Sequence, residues 1–335
     1  MNNMKNLMIS IDAMGGDNAP HEICKGAIAA CKEYDDINIT LVGDSEQIKK
    51  CIEENPISEN SRISIVHADE RIEMDDHPTL SMRKKRRSSM RIAMEMVRSG
   101  EAQGVVSAGN TGAIVAGGVI VIGRLPSIDR PALGVPLPTV NRCTFLLDVG
   151  ASVHCRAINL YHYALMGNIY SQKILGIEKP MVSLLSNGSE EIKGDEVVAE
   201  AREMISKANL NYTGYIEGNE IVYGNADVVV CDGFMGNVIL KFGEGLVSAA
   251  HSIIKEEMGQ RFLPKVGMVF MIPMLKALWN RFNYEKYGGT PLLGIDGVVI
   301  KAHGRSKSPA ILSALKTARN LIKKGGVEQI RSELE

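Results

Sequence analysis

The sequence predicts an α/β fold built on a mostly parallel, helix-covered sheet. Short Val/Ile-rich runs alternate with longer stretches of helical periodicity, and turns rich in Gly, Asn and Asp follow several of the apolar runs. No internal repeat or low-complexity linker interrupts the series. With 45% hydrophobic residues among 335, the chain can bury a large core as one α/β domain, 1–335, of two closely joined lobes.

Strands are expected at 7–12, 37–43, 105–107, 144–148, 181–186 and 227–231. Helices are expected at 20–33, 45–54, 88–99, 111–123, 156–175, 195–208, 235–257 and 306–324, several opened by Ser, Asn or Asp and closed by Gly. The apolar run from Gly112 to Gly123 is 12 residues long. A membrane-spanning helix needs about 20, so this run reads as a buried core helix. The N-terminal apolar stretch is broken early by Asp12 and does not make a signal peptide.

Lys plus Arg number 38 against 39 Asp plus Glu, a net charge of -1, which gives no global reason for a nucleic-acid partner. Electrostatic recognition must therefore be local, and two stretches offer it. Arg83, Lys84, Lys85, Arg86 and Arg87 are consecutive, either a landing patch for an acidic partner or a solvated basic face. The segment 258–284 carries Arg261, Lys265, Lys276 and Arg281 without an acidic residue, interleaved with Leu263, Phe270, Met271, Leu275, Leu278 and Trp279. Pro264 and Pro273 break it into short pieces, so it reads as a basic apolar helical tip lying on a membrane surface, with a dimer contact or core packing as the rival. Six cysteines without a C-x-x-C pair fit reduced thiols in a cytosolic chain. Seven histidines show no ligand spacing, so neither metal nor cofactor is expected.

In open parallel sheets ligands sit beyond the carboxyl ends of the strands, which directs attention to four turns. In Ser107-Ala-Gly109-Asn110-Thr111-Gly112, small residues let backbone N–H groups approach an anion, or else they only permit a tight strand-to-helix turn. Asp12, Gly15, Gly16 and Asp17 follow the first strand, able to orient a ligand or simply to cap the helix begun near Pro20. Lys193 is the one cation of a turn holding Glu190, Glu191 and Asp195; its ammonium suits a phosphate, though taken alone it reads first as a solvated salt-bridging lysine. Asp232 opens the fourth turn and Asn237 closes it, an amide able to donate to a carbonyl or to serve as an N-cap. His303 is the histidine that falls in a strand-to-helix turn. The chain has no P-loop, no G-x-S-x-G and no H-E-x-x-H.

Taken in chain order, these turns resemble the PlsX family of bacterial phosphate acyltransferases. The resemblance rests on Asp12-Ala-Met-Gly-Gly-Asp17-Asn18-Ala-Pro20, Val106-Ser-Ala-Gly-Asn-Thr-Gly-Ala113, Arg130-Pro-Ala-Leu133, Leu147-Asp-Val-Gly-Ala151 and Glu190-Glu-Ile-Lys-Gly194. It continues through Asp227-Val-Val-Val-Cys-Asp-Gly-Phe-Met-Gly-Asn-Val238, Gly288-Gly-Thr-Pro-Leu-Leu-Gly294 and Ala302-His-Gly304, and so spans about residues 7 to 325. It departs at Ser152 and His154, where the family has an amide and a carboxylate, and at Arg87, where the family is acidic or small.

The resemblance implies a fold similar to isocitrate and isopropylmalate dehydrogenases and to phosphotransacetylases, with a cleft site between lobes. It implies a homodimer, cytoplasmic and peripherally attached to the inner face of the membrane, with acyl carrier protein and inorganic phosphate as substrates and a glycerol-3-phosphate acyltransferase downstream. Lys193 and Asn237 match residues regarded as catalytic in that family. A thioester is an activated donor, so positioning and charge stabilisation suffice for its transfer to phosphate. The rivals are an acyl-CoA phosphotransacetylase or dehydrogenase on the same fold, and a non-enzymatic scaffold at the membrane.

Overall fold

The structure is a computed structural model that describes residues 6–55, 62–188, 190, 194–260, 271, 273–274 and 288–334. Its eleven described strands are β1 (Leu7–Asp12), β2 (Ile37–Gly43), β3 (Ile63–His67), β4 (Gly104–Ser107), β5 (Ala132–Pro138), β6 (Cys143–Leu147), β7 (Met181–Leu185), β8 (Asn211–Ile216), β9 (Val228–Val230), β10 (Thr290–Leu293) and β11 (Val298–Lys301). They form one sheet in the order β3-β2-β1-β4-β11-β10-β5-β6-β9-β7-β8. The helices used below are α1 (His21–Glu33), α2 (Ser45–Glu53), α3 (Pro78–Lys84), α4 (Ser89–Ser99), α5 (Thr111–Gly117), α6 (Ala157–Tyr170), α7 (Glu196–Ser206), α8 (Gly218–Ile221), α9 (Gly233–Gln260), α10 (Ser308–Lys323) and α11 (Gly326–Leu334).

Pairing is parallel through β3, β2, β1, β4 and β11, and again through β6, β9, β7 and β8. Three antiparallel joints, β11–β10, β10–β5 and β5–β6, lie between these halves. Strand direction therefore reverses across the centre, and the carboxyl ends of β1, β4 and β11 leave the sheet opposite to those of β6, β7 and β9. Successive side chains of a strand face opposite sides, which gives two cores. One contains Ile11, Val106, Leu147, Val228 and Ile300; the other contains Val105, Leu146, Val229 and Val299.

All six expected strands form, with bounds shifted by at most one residue at either end. The sequence reading missed β3, β5, β8, β10 and β11, together with α3, α8 and α11. Strand β3 is only half-buried, β5 carries two prolines and β10 one, features that blur the strand pattern. The apolar helix expected at 111–123 is α5 followed by a π-helical turn over Gly118–Ile122. Gly117 packs so closely on Met94 and Met82 that a Cβ there would meet their side chains at 2.4 and 2.7 Å. Among the described residues no helix is long and apolar enough to cross a membrane. The expected tip at 258–284 lies almost wholly outside the described residues, as do Leu263, Phe270, Leu275, Leu278 and Trp279; Met271 is described, helical and exposed.

Helix α10 is pinned to the first half of the sheet by charge as well as by packing. Arg319 gives Asp36 two parallel hydrogen bonds at 2.6 and 2.8 Å, Lys323 adds a third at 2.8 Å, and the guanidinium stacks over Tyr34. The Arg319 bonds hold the Asp36 carboxyl down, from 3.8 to about 2. Because folding lowers this value, the stabilisation is complete above the ordinary carboxylate range and is lost as pH falls through about 2. Asp36→Asn should therefore cost about 1 kcal/mol at pH 7 after solvent screening. In urea unfolding as a function of pH, that deficit should shrink steadily below pH 4; a deficit independent of pH would show that the charge contributes nothing.

Candidate active site

The candidate residues gather in two groups at strand ends, and helix α9 connects them. The first group closes the carboxyl ends of β1, β4 and β11. Asp12 is buried; its Oδ1 accepts from Ser89 Oγ at 2.6 Å and its Oδ2 from Ser107 Oγ at 2.7 Å. Ser107 Oγ in turn accepts the Gly109 N–H at 3.1 Å. Burial raises the Asp12 pKa, and the hydroxyl and backbone donors oppose that rise.

Glycine is required where these turns meet. A Cβ on Gly15 would lie 2.5 Å from Asp12 Oδ2 and 2.9 Å from Gly109 N; Gly16 has φ +95° and backs onto the Gly304 carbonyl. The Asp17 N–H donates to that same carbonyl at 2.8 Å. Asn110 caps α5 through Ala113 N at 3.0 Å, and its amide donates to the carbonyls of Met74 and Asp76. Asp12, Gly109 and Asn110, expected to face a ligand, are thus bonded within the protein. Thr111, Gly112 and His303 are half-buried and Asp17 is exposed.

The second group closes β6 and β9. Asp148, which the sequence reading did not single out as a site residue, accepts backbone N–H bonds from Leu133, Gly150, Ala151 and Ser152 at 2.7–3.1 Å. Burial pushes its carboxyl up to about 6 against those four donors. Ser152 serves this carboxylate through its main chain, so the departure from the family there leaves the bond intact; His154 is exposed. The start of α9 packs directly on this turn: a Cβ on Gly236 would fall 1.8 Å from the Asp148 carbonyl oxygen, and one on Gly233 2.7 Å from Asp148 Oδ2.

Asp232 accepts the Met235 N–H at 2.9 Å, which makes it the capping residue of α9 rather than an evident ligand contact. Asn237 accordingly stands in the second turn of the helix and is not the N-cap. Its side chain is exposed beside Gly150, 3.7–4.0 Å from the point a Cβ there would occupy. Lys193 lies outside the described residues. Its neighbours follow β7, the strand next to β9: Gly194 N–H donates to Asn187 Oδ1 at 3.2 Å, and Asp195 caps α7.

From Asn237, α9 runs back over the sheet. Leu240 and Glu244 form one wall of a cleft whose other side holds Val135, Thr290, Lys301 and His303, with about 490 Å³ of space including its open mouth. His303 Nδ1 accepts the Arg305 N–H at 3.2 Å, which leaves the proton of a neutral ring on Nε2. Lys301 and Glu244 gave no sequence signal, because only the reversal in the sheet brings α9 over β11. In the basic stretch, Lys85 pairs with Asp76 at 2.5 Å and Arg87 with Asp69, so the expected five-charge patch is reduced. Arg83, Lys84 and Arg86 are exposed, beside the loop that Asn110 holds.

Residues 7–329 match a family model described as fatty acid synthesis protein. A phosphate acyltransferase of Pelotomaculum thermopropionicum is 46% identical, covering 98% of this chain and 95% of its own. One from Bacillus cereus (strain ATCC 14579) is 43% identical, with 98% of each chain covered. Among solved structures, a phosphotransacetylase from Streptococcus pyogenes superimposes with a TM-score of 0.64 at 17% identity, covering 97% of this chain and 95% of that one. A branched-chain phosphotransacylase from Enterococcus faecalis V583 gives 0.55 at 15% identity, covering 94% and 99%. At such identities the likeness is one of fold.

If the Ser107 hydroxyl is committed to Asp12, Ser107→Ala leaves a buried carboxylate one donor short and should cost about 1–3 kcal/mol in urea unfolding. An unaltered midpoint would show that the hydroxyl serves a ligand instead.

Proposed function

We propose that this chain, which belongs to the PlsX family of phosphate acyltransferases, takes its acyl group from the thioester of acyl carrier protein. Transfer of an acyl group to phosphate is the activity of the family; the donor and the residue roles are the proposal. A phosphate oxygen attacks the thioester carbonyl, the C–S bond breaks, the carrier thiolate leaves and takes up a proton, and an acyl phosphate remains. No covalent enzyme intermediate is needed, since the thioester is already activated.

The course of α9 carries the reading. It holds Asn237 exposed at the carboxyl end of β6 and β9 and reaches the cleft of Lys301 within two further turns. We assign the Asn237 amide to the oxyanion formed on the thioester carbonyl, and Lys193 to the negative charge beside it. Arg83, Lys84 and Arg86 suit the approach of an acidic carrier, since exposed cations of this kind mainly speed encounter.

The outer face of α9 favours attachment to a second copy and to a lipid surface. Phe234, Val238, Phe242, Leu246, Ile253 and Ile254 are exposed large apolar side chains on this one helix. With the basic apolar segment that follows, they fit a homodimer held peripherally at the inner face of the cell membrane, where an acyl phosphate would pass to a glycerol-3-phosphate acyltransferase.

With purified chain and phosphate, kcat/KM should be at least tenfold higher for a carrier thioester than for the coenzyme A thioester. Lys193→Ala and Asn237→Ala should each lower the rate by about 100- to 1000-fold, the usual cost of one oxyanion donor. Lys84→Glu with Arg86→Glu should slow only the carrier reaction, and only at low salt. Equal use of both donors would refute the carrier assignment, and a normal rate in Asn237→Ala would refute the role of the amide. In analytical ultracentrifugation the chain should sediment as a dimer and should co-sediment with anionic vesicles; a monomer indifferent to vesicles would contradict both attachments.

A further inference from the structure

Lys301 is a half-buried cation that the reaction as described so far does not use. It ends β11, in register with Ser107 of β4, and the parity of the two strands puts both side chains on the same face of the sheet. Asp12 continues that row on β1, but its carboxylate is closed by Ser89 and Ser107, so the row is sealed at one end and opens under α9 at the other. Among the described residues no carboxylate forms an ion pair with Lys301; Glu244, which lines the same cleft, pairs with Lys241 at 3.8 Å. Burial, helped by Lys241 and opposed by Glu244, holds the Lys301 ammonium below the usual lysine range.

We infer that Lys301 binds the inorganic phosphate substrate, in the cleft between β11 and α9. The inference deepens the acyl-transfer reading and rests on it. It moves the anion from the 107–112 turn, where the Gly109 N–H and the Asn110 side chain are committed internally, to the adjacent strand end. There a half-buried lysine without an ion-pair partner among the described residues lines a cleft open to solvent.

Steady-state formation of acyl phosphate by Lys301→Met, with phosphate and thioester varied separately, provides the test. The phosphate KM should rise at least tenfold while the thioester KM stays within about twofold. Lys301→Arg should recover most of the loss, and Lys241→Met should shift the phosphate KM less than threefold. An unchanged phosphate KM, or an equal rise in both constants, would overturn the inference. A wild-type chain that makes no acyl phosphate would instead sink the reading beneath it. If Lys301→Met does not fold, wild-type protein labelled with an amine-reactive reagent and read by mass spectrometry decides: inorganic phosphate should slow labelling of Lys301 several-fold and leave Lys241 unaffected, and equal labelling of Lys301 with and without phosphate would refute the site.

Discussion

Helix α9 can begin where it does only because two glycines let its first turn lie against the Asp148 turn. Any side chain at Gly236 would collide with the Asp148 carbonyl, and the carboxylate of Asp148 is itself fixed by four backbone N–H groups. The starting point sets everything the helix carries. At about 1.5 Å per residue, Glu244 stands roughly 10 Å beyond Asn237 along the axis, so one rigid element presents an amide at the end of β6 and a wall of the cleft over β11. A fold whose two halves send their strand ends in opposite directions needs such a bridge if groups from both are to serve one reaction.

Electrostatics follows from that arrangement. The chain has almost no net charge, yet the cleft presents Lys301, while Glu244 opposite it is engaged by Lys241. A cation in a half-buried site is costly without a partner and correspondingly strong toward an anion that arrives. The carboxylates of Asp12 and Asp148 do the reverse: each is fenced by donors and turned into the protein, so neither repels an incoming phosphate at close range. Their role is to hold turns in shape.

The parallel architecture was legible because buried strands read as apolar runs, and the turns that matter were legible because close backbone approach demands glycine. What those residues do was less so. Asp12 and Asn110 look like ligand contacts in a string of letters, whereas in space their bonds run to Ser107, Ser89, Met74 and Asp76, partners up to 95 positions away. Asn237 reads as a cap until Asp232 is seen to take that place. Lys301 ends a four-residue strand that holds no periodic signal, and its importance arises only from the reversal that lays α9 across β11. The roles of Lys193 and Asn237 came from resemblance, since spacing alone favoured a solvated lysine and left a capping amide open.

The central claim is that the anion sits under α9 beside Lys301. Diffraction from crystals soaked in arsenate, a phosphate analogue located by its anomalous signal, tests it most directly. The account predicts an arsenate peak within hydrogen-bond distance of Lys301 Nζ that excess phosphate displaces. A displaceable peak held instead by the 107–112 turn, with the cleft under α9 empty, would contradict it.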